Sequence, residues 1–177
     1  ASPQVAGAAL VRVARQQIGV TLIYDGSYRR IAYPGGDIAA DRGVCTDVIV
    51  RAYRAFGIDL QKLVHEDMTR AWSHYAKRWG LTQPDRNIDH RRVPNLATFF
   101  ARHGESLPVT PQADAYRAGE LVTWRLPGGL PHIGIVSGEH DQRGTPRVIH
   151  NIGRGTLEEP MLFDFPITGR FRYMRGA

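Results

Sequence analysis

The hydrophobic pattern of this chain changes period once, and that change limits its fold more than any other feature. Up to about Pro111, apolar residues recur at helical spacing. Val5, Ala8, Leu10, Val11, Ala14 and Ile18 do so between Gln4 and Ile18, and Gly19 can end that helix. Val48, Ile49, Ala52, Tyr53 and Phe56 form a second stripe, with Arg51 and Arg54 opposite and Gly57 as its stop. Asp59 is an N-cap candidate for a third run that carries Leu60, Leu63, Val64, Met68, Trp72 and Tyr75. Pro94 to His103 makes a short fourth helix, closed by Gly104. After Pro111 the runs are short and β-rich: Leu121 to Trp124, Ile133 to Val136 and Val148 to His150, with Phe171 to Tyr173 as a last strand. Gly/Pro-rich or charged turns separate them, as a meander requires. Helices first and an antiparallel sheet second predict an α+β fold, with N-terminal helices packed on the sheet. The length of 177 residues fits a single domain, 1–177, with a full-sized core.

Composition narrows the functional classes. One cysteine excludes a disulfide framework. A net charge of +6 favours anionic partners such as acidic wall polymers. The basic residues are scattered, however, in Arg29-Arg30, Arg91-Arg92 and Arg170 to Arg175, with no aromatic-interleaved basic motif, which argues against nucleic acid. No stretch approaches the roughly 20 apolar residues of a membrane span, so no integral membrane segment is expected. The start, Ala1-Ser2-Pro3-Gln4, reads like the terminus left by signal removal, and a periplasmic or secreted chain is expected.

The lone Cys45 stands where the second helical stripe opens. A helix N-terminus carries roughly half a positive charge, which favours a thiolate. Its free N–H groups can receive an oxyanion. Gly43 lets the chain turn sharply into that helix. A structural cysteine has no need of this position, so Cys45 is a candidate nucleophile. It then needs a base and an orienting group. His132 opens the strand Ile133 to Val136, and His150 lies in the next β-run, where neighbouring antiparallel strands can bring the two together. A bond from His150 to one ring nitrogen of His132 leaves the other to face Cys45. Asn151 is an alternative orienter, although alternation sends 150 and 151 to opposite faces. A zinc site of Cys45, His132 and His150 lacks any close ligand pair such as CxxC or HExxH, so neither metal nor other cofactor is expected.

These segments resemble the NlpC/P60 branch of papain-like hydrolases. Gly43-Val44-Cys45-Thr46-Asp47 is similar to its cysteine-helix motif, Ala118 to Trp124 to its Pro-Gly-Asp-Leu-Val strand, and Pro131 to Val136 to its His-Val-Gly-Ile-Tyr strand. More closely, the chain resembles the DUF1287 family from about Ala14 to Tyr173. The likeness lies in Gly43 to Val48, Asp59 to Gln61, Val64 to Met68, Asn87 to Leu96 and Ile149 to Gly153. It implies a papain-type α+β fold, with Cys45, His132 and His150 as nucleophile, base and orienter. Asp47 and Asn151 go with them as supporting residues. Tyr24 matches the tyrosine that lends its hydroxyl to the oxyanion site, but Tyr24-Asp25-Gly26-Ser27 lacks the family's Trp-Gly-Gly, and Tyr28 and Tyr33 are rivals. Gly169-Arg170-Phe171-Arg172 stands in place of Gly-His-Tyr-Arg, a change expected to touch packing more than chemistry.

The resemblance implies cleavage of an amide in peptidoglycan stem peptides, or of the amide joining peptide to glycan, through a thioester. Two other readings stay open: a non-catalytic module that binds wall or partner, and acyl transfer by the same thiol. An inhibitory or regulatory protein partner is also left open. Two motifs have no NlpC/P60 counterpart. Asp89-His90-Arg91-Arg92 is either a substrate clamp, since Arg holds carboxylates in a fork, or a structural salt-bridge knot. His65-Glu66-Asp67 reads as a polar helix face with one ion pair.

Overall fold

A computed structural model of the chain describes residues 6–75 and 80–174. The apolar stripes of the first half supply the buried helix faces, although Ala8 and Ile18 of the first stripe are exposed and Ile18 lies past the end of its helix. The helices are α1 (Gly7–Arg15), α2 (Cys45–Arg54), α3 (Leu60–Arg70) and α4 (Val93–His103). They bury Leu10, Val48, Ile49, Leu60, Val64, Leu96 and Phe100 in one cluster. The predicted start of the first helix, Gln4 and Val5, lies outside the described residues. Asp59 caps α3 as expected, accepting from the Gln61 N–H at 3.1 Å and the Lys62 N–H at 3.4 Å. That helix is shorter than predicted: it stops at Arg70, and Trp72–His74 form a 3₁₀ turn.

A two-residue parallel pair, β1 (Ile23–Tyr24) and β2 (Arg42–Gly43), precedes α2. The second half contributes β3 (Glu105–Ser106), β4 (Leu121–Arg125), β5 (Pro131–His140), β6 (Pro146–His150), β7 (Leu157–Glu159) and β8 (Ile167–Arg172). These form an antiparallel sheet in the order β3-β8-β4-β5-β6-β7, so the predicted α+β architecture holds. Alternation sorts the side chains. Leu121, Ile133, Ile135, Ile149 and Phe171 face the helices, while Val122, Trp124, Val136 and Val148 pack with Tyr116, Met161 and Leu162 in a second cluster.

Two buried carboxylates tie this framework together. Asp67 is not part of an exposed polar face; it is fully buried and accepts from Arg102 Nε at 2.7 Å, the Tyr75 hydroxyl at 2.6 Å and His103 Nε2 at 3.0 Å. Within α3, Lys62 pairs with Glu66 at 2.6 Å and Arg70 with Asp67 at 3.2 Å. Glu120 receives Arg170 Nε at 2.8 Å and Arg172 Nη2 at 2.8 Å, so the Gly-Arg-Phe-Arg variation does serve packing.

Candidate active site

The chain enters α2 from β2 through Val44, which is extended and carries no capping side chain. Asp47, three residues on, supplies the missing acceptor: its Oδ2 takes the Val44 N–H at 2.7 Å. Gly43 leaves room for this turn, because a Cβ there would sit 3.1 Å from Asp47 Oδ2 and 3.0 Å from Arg51 Nη1. Arg91 clasps the same carboxylate, Nε to Oδ1 at 3.1 Å and Nη2 to Oδ2 at 3.0 Å, and Nη2 also donates to the Asp25 carbonyl at 3.0 Å. Both charges are buried. The Asn151 amide donates to the Gly43 carbonyl at 3.3 Å. Asp47 and Asn151 therefore hold the loop that delivers Cys45, and Asn151 does not orient His132.

His132 begins β5 opposite Trp124 of β4, with ring centroids 5.5 Å apart. Its Nε2 shares a hydrogen bond with Nδ1 of His150 at 2.8 Å. The close approach depends on Gly134. A Cβ there would lie 2.5 Å from Val148 Cγ1 and 3.1 Å from His150 Cβ. On its far side, His150 Nε2 lies 2.9 Å from Glu159 Oε1, and Glu159 Oε2 receives Arg154 Nη2 at 2.9 Å. No local sequence signal marks Glu159. Its strand β7 is three residues long and carries no hydrophobic alternation.

Cys45 and His132 line one cavity of about 630 Å³. Leu126, Leu130, Ile152 and Val93 supply apolar wall, and Arg91 and Arg92 its charge. The sequence motif Asp89 to Arg92 thus divides. Arg91 is a structural knot that also reaches the cavity wall, and Arg92 lines the wall. Asp89 and His90 are buried behind them and do not line it, which removes both from any substrate clamp. Asp89 Oδ2 accepts from the Asp85 N–H at 2.6 Å, and burial pushes its carboxyl up to about 6.

Of the three rival tyrosines, Tyr28 lines the cavity but commits its hydroxyl to Asp85 Oδ2 at 2.9 Å. Tyr33 packs edge-on against His65 and lies outside it. Tyr24 lines the cavity, and strand pairing sets it beside Gly43. Its phenol is pushed up by burial first, then by the neighbouring Cys45 and Asp47.

The electrostatics differ from the expected thiolate. Burial pushes the Cys45 thiol up to about 12, and Asp47 adds to this; backbone N–H groups of Ile133, Thr46 and Cys45 pull the other way. Burial likewise holds His132 down at about 3. The resting pair is a neutral thiol and a neutral imidazole. Among the described residues no hydrogen bond joins them, and no group of three His, Cys, Asp or Glu side chains is placed to hold a metal ion. None of the described helices is long and apolar enough to cross a membrane.

Known proteins bear on both fold and family. Two solved structures share the fold, NlpC1 and NlpC2 from Trichomonas vaginalis. Their TM-scores are 0.50 and 0.52, at 15% and 14% identity over 94% and 96% of this chain. The chain spans only 44% and 48% of those proteins. The layering of helices on an antiparallel sheet is therefore that of NlpC-type papain-like folds. A protein of Escherichia coli (strain K12), named "Uncharacterized protein YijF", is 54% identical over 160 residues, 90% of this chain and 78% of its own length. The family model described as "Domain of unknown function (DUF1287)" matches residues 11–173, and the chain belongs to that family.

Proposed function

We propose that the chain is a cysteine-dependent amide hydrolase acting on peptidoglycan, as a stem-peptide endopeptidase or an amidase. The observation that carries this reading is one cavity receiving both Cys45, at the N-terminus of α2, and His132, whose second ring nitrogen is held by His150. In this mechanism the Cys45 proton passes to His132 as the sulfur attacks the amide carbon. The Cys45 N–H and the Tyr24 hydroxyl receive the oxyanion. His132 gives its proton to the leaving amine, and a thioester remains. Water, deprotonated by His132, then attacks the thioester; the carboxylic acid leaves and the thiol is restored. Arg92 on the cavity wall and the net charge of +6 suit an anionic chain of peptide carboxylates. Such a substrate sets the chain at work outside the cytoplasm.

The test is digestion of purified sacculi with the wild type and Cys45→Ala, followed by separation of the muropeptides. New fragments from the wild type alone support the reading. No new fragment from either removes the peptidoglycan claim. The burial of Cys45 also favours a second reading, a binding module that keeps the fold without catalysis. In that case both proteins pull down with sacculi and neither cuts them.

A further inference from the structure

We propose that Glu159 is a positioning residue that sets the proton direction of the whole histidine pair, and so decides which nitrogen of His132 faces Cys45. The proposal rests on the hydrolase reading above for its kinetic consequence, but not for its chemistry. In the Glu159–His150–His132 relay, the carboxylate is the member whose hydrogen-bonding role is fixed. An ionised carboxylate only accepts hydrogen bonds, and the other oxygen of Glu159 accepts from Arg154 Nη2 at 2.9 Å. The 2.9 Å bond from Glu159 Oε1 therefore requires a proton on His150 Nε2. A neutral imidazole carries one proton, so His150 Nδ1 is then a lone pair. The 2.8 Å bond between that nitrogen and His132 Nε2 in turn requires the proton on His132 Nε2. His132 Nδ1 is left as a lone pair, the state a base needs to accept the Cys45 proton.

The strand register delivers this order. Leu157 pairs with His150 and Glu159 with Val148, so Glu159 stands diagonally across from His150 on the same face of the sheet. When His132 accepts a proton it becomes a cation, and His150 passes the stabilisation of that cation to the carboxylate. The charged and titratable groups that bear on the two rings are Glu159, Arg154 and Asp164 around His150, and His150 itself beside His132. Among the described residues, Glu159 is the carboxylate hydrogen-bonded to His150, and it reaches His132 only through that ring.

The experiment compares the wild type, Glu159→Ala and the isosteric Glu159→Gln. Long-range proton–nitrogen NMR of the imidazole rings reads the tautomers, and kcat/KM on a peptidoglycan peptide against pH reads the chemistry. The wild type should show both rings protonated at Nε2. In Glu159→Ala, both should become tautomer mixtures. In Glu159→Gln, whose amide oxygen still accepts, the tautomers should largely persist. Losing one charge-assisted bond should lower kcat/KM about 10- to 100-fold, mostly in kcat. The acidic limb of the profile should move to lower pH in both variants, because the imidazolium loses its carboxylate. Unchanged tautomers in Glu159→Ala, or an unmoved acidic limb at wild-type rate, would overturn the proposal. Were Glu159→Ala unable to fold, Glu159→Gln would carry the test through the limb shift. If the wild type cuts nothing but its tautomers depend on Glu159, the hydrolase reading fails and the positioning role stands.

Discussion

Gly134→Ala would test whether strand packing, rather than the histidines alone, builds the site. The added Cβ would lie 2.5 Å from Val148 Cγ1, 3.1 Å from His150 Cβ and 3.1 Å from the Ile149 carbonyl oxygen. The first distance is about 1 Å inside the ~3.5–4.0 Å optimum for two carbons. Val148 is β-branched and wholly buried, so it cannot swing aside cheaply. β6 must move away from β5. Overpacking of this kind costs about 1–3 kcal/mol, which for a chain of this size lowers Tm by roughly 2–12 °C. The His132–His150 bond, now 2.8 Å, passes the ~3.2 Å limit of a good hydrogen bond once the strands part by half an ångström. kcat/KM should then fall about 10- to 100-fold. The assay pairs thermal unfolding with peptide hydrolysis, for Gly134→Ala alone and in a Val148→Ala background. Removing Cγ1 relieves the shortest contact, so the double variant should be more stable than the two single costs added together. A Gly134→Ala protein with wild-type Tm and rate, or strictly additive costs, would refute the packing argument.

Asp47→Ala should be the most damaging change near the site. It leaves Arg91 buried without its partner and the Val44 N–H without an acceptor, at about 3–5 kcal/mol, read as a lower urea midpoint. Tyr24→Phe should lower kcat about 100-fold with little change in Tm, because Tyr24 is an exposed side chain that lines the cavity rather than the core; an unchanged kcat would exclude Tyr24 from the oxyanion site. His90 is held by burial at about 4 against an ordinary 6.5. Its folded pKa is depressed, so the stability it contributes is full above 6.5 and lost as pH falls towards 4. Asp89, raised to about 6 from 3.8, works in the opposite sense: its contribution is full below 3.8 and lost as pH rises through 6. His90→Gln should therefore flatten the fall in unfolding free energy between pH 6.5 and 4 by about 3 kcal/mol; an identical slope in wild type and variant would show that His90 does not titrate on unfolding.

The parts legible in the sequence were those written in local periodicity. α2, α4 and the strands carrying His132 and His150 could be read because their apolar residues recur with a period the backbone imposes. Cys45 could be read because a helix start is a local event. What could not be read depends on partners far along the chain. Asp67 looked like surface because nothing near it in sequence shows that Tyr75, Arg102 and His103 converge on it. Arg91 meets Asp47 across 44 residues, so a clamp and a knot were indistinguishable until the loop was placed. Glu159 lies on an edge strand whose pairing, not its composition, makes it a strand.

Sequence also misjudged the resting charge of the site, and the reason bears on how it works. A helix N-terminus does favour a thiolate, and three backbone N–H groups bear on the Cys45 sulfur in that sense. Desolvation outweighs them, and the Asp47 carboxylate two residues on opposes them further. The same desolvation holds His132 neutral. Each ion is costly alone, but proton transfer from Cys45 to His132 makes both at once. Their mutual attraction in a low-dielectric cavity offsets much of the cost of either. In the proposed hydrolase mechanism the nucleophile is then made by the pair at the moment of use rather than stored by the helix. The barrier to making it depends on what stabilises the imidazolium, and that stabilisation runs through His150 to the carboxylate at 2.9 Å. On the proposed mechanism, reactivity at a cysteine on the helical side would thus be set from β7, at the edge of the sheet.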